Sequence, residues 1–318
     1  MLIKSPAKLN LFLYVTGRRD NGYHDLFTLM TCINLYDDIE LTFLDPVEDA
    51  QKNIDPIELK SAAQENIQIE CDNPNIPSDH SNLAFKAAAI FNEHISLVGN
   101  IIAKKVAIQI KKRIPMGAGL GGGSSNAASV LKAMNSFYGS PFSVEQLMQM
   151  SSQIGADVPF FIVGGAAIAE GVGEKLTPIH LPLKEQYVLL FYPGLHASTA
   201  EVYKNLDLGL TKPIKSNINC LLKIPDINQG FINVKGLMHN DLELSACALY
   251  PDIGLFRKEL VDCLSKFDLL SENLMMTGSG STFFYIVSDY EKAQRCFNEL
   301  SLKWRFTKRE IFMTSFIN

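Results

Sequence analysis

Pro115-Met116-Gly117-Ala118-Gly119-Leu120-Gly121-Gly122-Gly123-Ser124-Ser125 packs five of the 21 glycines of a 318-residue chain into seven positions. Glycine permits positive φ and lets backbone N–H groups approach a ligand with no Cβ in the way. Downstream, Ala127, Val130, Leu131, Met134 and Phe137 recur at helical spacing, and Gly139 and Pro141 end the pattern. The spacing predicts a glycine-rich loop that runs into a helix over Asn126–Tyr138. At such a junction free N–H groups and the positive end of the helix dipole converge, which makes an anion site usually filled by phosphate. Lys112 and Arg113 add positive charge just upstream. A merely flexible loop is the competing reading, but loops seldom concentrate glycine so heavily against a helix start.

Two phosphate motifs can be set apart from this one. Gly117-x-Gly119-x-x-Gly122 has the form of a dinucleotide fingerprint, a weak signal alone. The strand before it, Val106, Ile108 and Ile110 alternating with Ala107 and Gln109, runs into Lys111-Lys112-Arg113. A dinucleotide fold would put an unbroken apolar parallel strand there. No Gly-Lys-Ser/Thr follows the glycines, which excludes a Walker A loop.

Working outward, Ala7, Leu9, Leu11, Leu13 and Val15 alternate with Lys8, Asn10, Phe12 and Tyr14, the periodicity of a strand. Lys8 and Asn10 then share the face opposite the aliphatic one. A turn follows at Asp20-Asn21-Gly22, and Ile39–Leu44 reads as another strand. Residues 45–66 are polar and without apolar periodicity, which predicts a solvated insertion. Asn82–Leu97 reads as an amphipathic helix. Ser143 with Gln146 forms a capping box for a helix that Gly155 ends. Phe160–Ala169 is the longest apolar run, too short for the about 20 residues of a membrane span, and Gly171–Gly173 reads as a strand and turn. A helix from Asp252, a strand at Leu274–Met276, a Gly/Ser loop and a strand at Phe283–Val287 follow. The class is α+β, in two domains with the boundary near residue 175: 1–175 and 176–318.

Composition narrows the function. A net charge of −5 and a pI near 5.7 leave no global basic field for nucleic acid. The six cysteines are never closer than sixteen residues, so reduced thiols and a cytoplasmic, soluble protein are expected in place of a zinc or redox motif. Lys4 and Lys8 before Leu9–Val15 mimic a signal peptide, but Gly17-Arg18-Arg19-Asp20 is no cleavage site.

The glycine segment with its helix resembles the central motif of the GHMP kinases, named for galacto-, homoserine, mevalonate and phosphomevalonate kinases. Ser5–Leu13 resembles that family's first motif, and Thr277-Gly278-Ser279-Gly280-Ser281 its third. Pro6-Ala7-Lys8-Leu9-Asn10-Leu11, Gly22-Tyr23-His24 and Gly155-Ala156-Asp157-Val158-Pro159 look most like the branch whose substrate carries cytidine diphosphate, in the non-mevalonate route to isoprenoids. The resemblance covers almost the whole chain, and only the polar stretch 45–66 looks longer than usual.

The resemblance implies a ribosomal-protein-S5-like N-terminal domain, a ferredoxin-like C-terminal domain, and a cleft where ATP, with Mg²⁺, meets a small-molecule alcohol. No nucleic acid or membrane partner is implied, and the chain would be a monomer or weak homodimer. Pro115–Ser125 would hold the triphosphate, with Asn82 and Lys112 as further nucleotide contacts; capping and surface charge are their bland readings. Ser124 or Ser125 would meet the metal or merely cap the helix; the metal ligands stay open. Asp157 would be the general base, set against Phe160 and Phe161, although it also suits a helix N-cap. Lys8 would partner it and steady charge near the γ-phosphate; on residues alone it reads as a solvated strand lysine. Asn10 would bind the same hydroxyl region. Tyr23 and His24 would meet the cytosine, with Tyr203 as a second stacking ring. Gly278, Ser279 and Gly280 would pack beneath the site. Another small-alcohol kinase of the family, such as homoserine or mevalonate kinase, is the nearest rival. Outside catalysis, the rival is a sensor that binds ATP without turnover; a nicotinamide oxidoreductase is the third.

Overall fold

The structure, a computed structural model, describes residues 1–45, 64–98, 103–181, 183, 185–206 and 238–317. Residues 46–63, most of the predicted insertion, lie outside the described residues. Eleven strands are described: β1 (Leu2–Arg18), β2 (His24–Leu44), β3 (Ile67–Cys71), β4 (Lys105–Lys111), β5 (Ala166–Gly171), β6 (Lys175–Ile179), β7 (Tyr187–Tyr192), β8 (His239–Asn240), β9 (Leu274–Met276), β10 (Phe283–Val287) and β11 (Glu310–Ser315). The helices are α1 (Leu83–Ile95), α2 (Gly122–Phe137), α3 (Val144–Ser152), α4 (Val158–Val163), α5 (Thr199–Lys204), α6 (Asp241–Leu249), α7 (Pro251–Ser265) and α8 (Tyr290–Trp304). The α+β expectation holds.

The chain forms two compact units: Met1–Ala7, Leu35–Ile114 and Gly121–Val163 make one, and Lys8–Asn34, Pro115–Leu120 and Gly164–Asn318 the other. Residue 175 lies inside the second.

In the first unit β4 runs parallel to β3 and antiparallel to the end of β2, with Ile108 opposite both Ile69 and Leu41. Alternation buries Val106, Ile108 and Ile110 while Gln109 stays exposed. A strand flanked in this mixed way does not belong to a doubly wound dinucleotide sheet. Helix α1 packs on α2, and α3 and α4 pack beside it. Its buried stripe is Ala84, Phe85, Ala87, Ala88, Phe91 and Ile95. The capping box closes at α3: Ser143 Oγ accepts from Gln146 N (3.3 Å), and Gln146 Oε1 accepts from Ser143 N (2.9 Å).

In the second unit β1 lies between β2 and β8, and β2 continues antiparallel into β5 and β6. A second, antiparallel sheet has the order β11-β7-β10-β9. Counted along the chain that is 4-1-3-2, and with α8 between β10 and β11 it gives the β-α-β-β-α-β arrangement of ferredoxin-like layers. Leu189, Phe191, Phe256, Leu260, Phe283 and Trp304 share its core. Strands β9 and β10 have the limits the sequence predicts. Phe160–Ala169 is not one element: α4 ends before Gly164 and Gly165, whose φ of 73° and 65° turn the chain into β5. No described helix is long and apolar enough to cross a membrane.

Candidate active site

The first unit holds the downstream end of the glycine segment. Helix α2 starts at Gly122, four residues ahead of the sequence expectation, because Gly122 and Gly123 carry no side chain to show periodicity. Gly121 is the N-cap residue at φ 70°, a left-handed conformation that suits glycine, and no side chain caps the helix there. Its first-turn N–H groups are therefore without a side-chain partner from residue 121, as an anion site requires. Ser124 is half-buried, whereas Ser125 is fully buried and its Oγ lies 2.7 Å from Ser5 Oγ. Lys112 is not a solvated charge: its ammonium pairs with the buried Asp37 carboxylate and lies 3.2 Å from Asn126 Oδ1.

Asn82 caps α1 through Oδ1, which accepts from Ala84 N at 2.9 Å, while its amide donates to Pro77 O at 2.8 Å. Asp157 is half-buried and immediately precedes α4, where Val158, Pro159, Phe160 and Phe161 are buried.

The second unit holds the upstream end of the glycine segment against the first and third motifs. Leu120 O accepts from Lys8 N (3.0 Å), and Ala118 O accepts from Thr282 N (3.3 Å). A Cβ on Gly119, at φ 76°, would sit 2.2 Å from Thr277 O. The two glycine motifs thus touch backbone to backbone. Lys8 is not the solvated lysine of the bland reading: it is 4% exposed, and its ammonium donates to Asn10 Oδ1. Strand alternation cannot show this, because residues 7–15 of β1 are buried on both faces. Asn10 in turn donates from Nδ2 to Thr28 Oγ1 (2.8 Å) and from its backbone N to Thr277 Oγ1 (3.0 Å). A Cβ on Gly278 would lie 3.1 Å from Lys8 Nζ, so the third motif passes directly over the ammonium. Asn240 holds that motif in place by donating to Met276 O (2.7 Å) and Gly278 O (2.8 Å), and Ser279 Oγ lies 2.7 Å from Thr199 Oγ1.

His24 and Tyr203, 179 positions apart in sequence, stack with ring centroids 5.3 Å apart and planes 28° from parallel. His24 is buried and Tyr23 is 62% exposed, so the adjacent pair presents very different surfaces. Burial first, and then the positive charge of Arg18, push the His24 imidazole below its ordinary value.

No local pattern singles out Thr28, Asp37, Thr199, Asn240 or the Thr277 hydroxyl, for a simple reason. Each is a common polar residue whose partners lie far along the chain, and only Thr277 falls within a motif that stands out by composition. The first unit offers uncapped backbone N–H groups for a polyphosphate and a half-buried carboxylate at Asp157; the second offers a buried ammonium with an amide beside it and a ring pair for an aromatic ligand.

Residues 82–165 match the model of the GHMP kinases N terminal domain. The chain is similar to the 4-diphosphocytidyl-2-C-methyl-D-erythritol kinase of Clostridium kluyveri, 38% identical over 315 residues, 99% of each chain. The counterpart from Alkaliphilus metalliredigens is 37% identical, over 96% of this chain and 94% of its own. Among solved structures, a 4-(cytidine 5'-diphospho)-2C-methyl-D-erythritol kinase matches with a TM-score of 0.69 at 29% identity, covering 99% of both chains.

Proposed function

This chain belongs to the GHMP kinases, and within them to the 4-diphosphocytidyl-2-C-methyl-D-erythritol kinases, and we propose from that premise how its residues share the reaction. It is an ATP-dependent small-molecule kinase of the non-mevalonate pathway. We assign it transfer of the γ-phosphate of ATP to the 2-hydroxyl of 4-diphosphocytidyl-2-C-methyl-D-erythritol. The observation that carries this reading is the 38% identity over 99% of both chains, which the Lys8–Asn10–Gly278 cluster supports.

The reaction needs a held triphosphate, a positioned alcohol, a proton acceptor and compensation for charge on the transferring group. The N–H groups of Gly122-Gly123-Ser124 and the backbone of Gly117–Gly121 take the triphosphate. Asp157 accepts the hydroxyl proton. Lys8 stabilises charge near the γ-phosphate, and its low exposure strengthens that interaction. Asn10 orients the alcohol. Ser124 would be the hydroxyl to meet Mg²⁺ carried by the triphosphate, since Ser125 is turned to Ser5; the ion would offset the triphosphate charge. His24 reads the edge of the cytosine, and the Tyr203 ring supplies stacking area. The five described cysteines form no disulfide with one another, and a cytoplasmic enzyme is our reading.

Incubation with ATP, Mg²⁺ and the cytidine-diphosphate alcohol is expected to release one ADP per phosphorylated product. Homoserine or mevalonate in its place should release none. ADP release with either of those, and none with the cytidine compound, would overturn the substrate assignment.

His24→Ala should raise KM for the cytidine substrate by roughly tenfold with KM for ATP unchanged, the cost of one hydrogen bond to a base. The sign of the pH dependence follows from the lowered His24 value. The neutral imidazole therefore persists to lower pH than in an unperturbed histidine, and KM should be flat through the alkaline range. It should rise only as acid protonates His24 below the ordinary histidine range. Equal loss for ATP and cytidine substrate in the variant would mark His24 as structural.

A further inference from the structure

We propose that Asp37 is a positioning residue for phosphoryl transfer: one buried carboxylate that ties together the two feet of the phosphate-binding loop. This rests on the reading of Pro115–Ser125 as the triphosphate cradle. Asp37 is fully buried, at 0% exposure, on β2. Its Oδ1 accepts from Arg113 N (2.8 Å) and Ile114 N (2.9 Å), the last two residues before the loop. Its Oδ2 accepts from Asn126 Nδ2 (2.9 Å), just past the loop, and pairs with the Lys112 ammonium. Asn126 Nδ2 also donates to Ser5 Oγ (3.0 Å), which joins Ser125 Oγ, so the tie reaches the first turn of α2.

The feet are already in contact. A Cβ on Gly122 would lie 3.0 Å from Ile114 Cγ2 and 3.2 Å from Lys112 Nζ. Small movements of either foot would change where the loop N–H groups point, and positioning of this kind governs binding and rate. The neighbouring Asp38 does nothing comparable: it pairs at 2.6 Å with the mostly exposed Arg113 side chain.

Asp37→Asn keeps the size of the side chain and an oxygen for Arg113 N and Ile114 N. It puts an amide donor against Lys112 and Asn126, which frees the downstream foot. Isothermal titration of the full-length variant with ATP is expected to show a Kd raised about 5- to 30-fold. In steady state KM for ATP should rise in step while KM for the alcohol stays within about twofold. ATP affinity equal to wild type, with only a lower Tm, would overturn the proposal and leave Asp37 as a core ion pair. If Asp37→Asn does not fold, Asn126→Ala cuts the same tie from the other side and leaves Asp37 with Lys112. It should raise the ATP Kd about three- to tenfold, and an unchanged Kd overturns the proposal. Wild-type protein that binds no ATP would overturn the cradle reading itself, an outcome distinct from either variant matching a wild type that does bind.

Discussion

In the Asp157→Asn protein kcat is expected to fall by about 10²–10⁴-fold, the usual loss when a general base is removed. The chain should remain folded. An amide caps a helix about as well as a carboxylate, so the change in stability should stay below about 1 kcal/mol. The amide cannot take the hydroxyl proton, and it no longer offers a negative charge to a cationic partner. Binding contacts are left in place, so KM for either substrate should change little and the loss should fall on kcat. Thermal denaturation and steady-state ADP release on one preparation separate the two roles. A folded protein with near-normal turnover would reduce Asp157 to the cap that its position before α4 also permits.

Gly119→Ala should be strongly damaging for a single added methyl. The residue sits at φ 76°, where an L side chain costs about 1–2 kcal/mol. Its new Cβ would meet Thr277 O at 2.2 Å and Gly280 O at 3.0 Å, both backbone atoms that cannot rotate away. Forcing them apart adds the about 1–3 kcal/mol typical of overpacking. A total loss of about 2–5 kcal/mol should appear in denaturant unfolding, with kcat/KM for ATP at least about 10²-fold lower as the loop leaves its place. Gly139→Ala is the matched control. Gly139 has φ 78° but nothing within 4 Å of its Cβ position, so it carries the conformational cost alone. Equal destabilisation by both variants would show that the contact with Thr277 is not tight.

Local features of this fold were legible in the sequence where a local cause sets them. The Ser143–Gln146 box, the limits of β9 and β10 and the helix behind Pro251 all follow from signals a few residues long. The start of α2 was not legible, since glycines in a first turn carry no periodicity. Lys8 looked solvated because alternation reports which residues share a face, and says nothing about whether a second layer covers that face. The glycine motif and Asp157 stand out by composition and context. Thr28, Asn240 and Asp37 do not: an Asp after Tyr36 reads as surface charge until Arg113, Ile114 and Asn126 are seen to point at it. Likewise the His24–Tyr203 stack joins residues that no local pattern relates.

The backbone meeting of the two glycine motifs also sets an order of assembly. Lys8 and Leu120 are joined by a bond that the first 120 residues can make, but Ala118 O waits for Thr282 N and Gly119 for Thr277 O. Contacts of such long sequence separation close late, because the loop entropy is lost before the contact is gained. During synthesis the glycine loop therefore emerges more than 150 residues ahead of the segment that braces it. At roughly 5–20 residues per second the ribosome leaves that loop unbraced for on the order of 10–30 seconds. A chain truncated before Thr277 would lack the brace altogether, and with it the backbone contacts that fix Ala118 and Gly119.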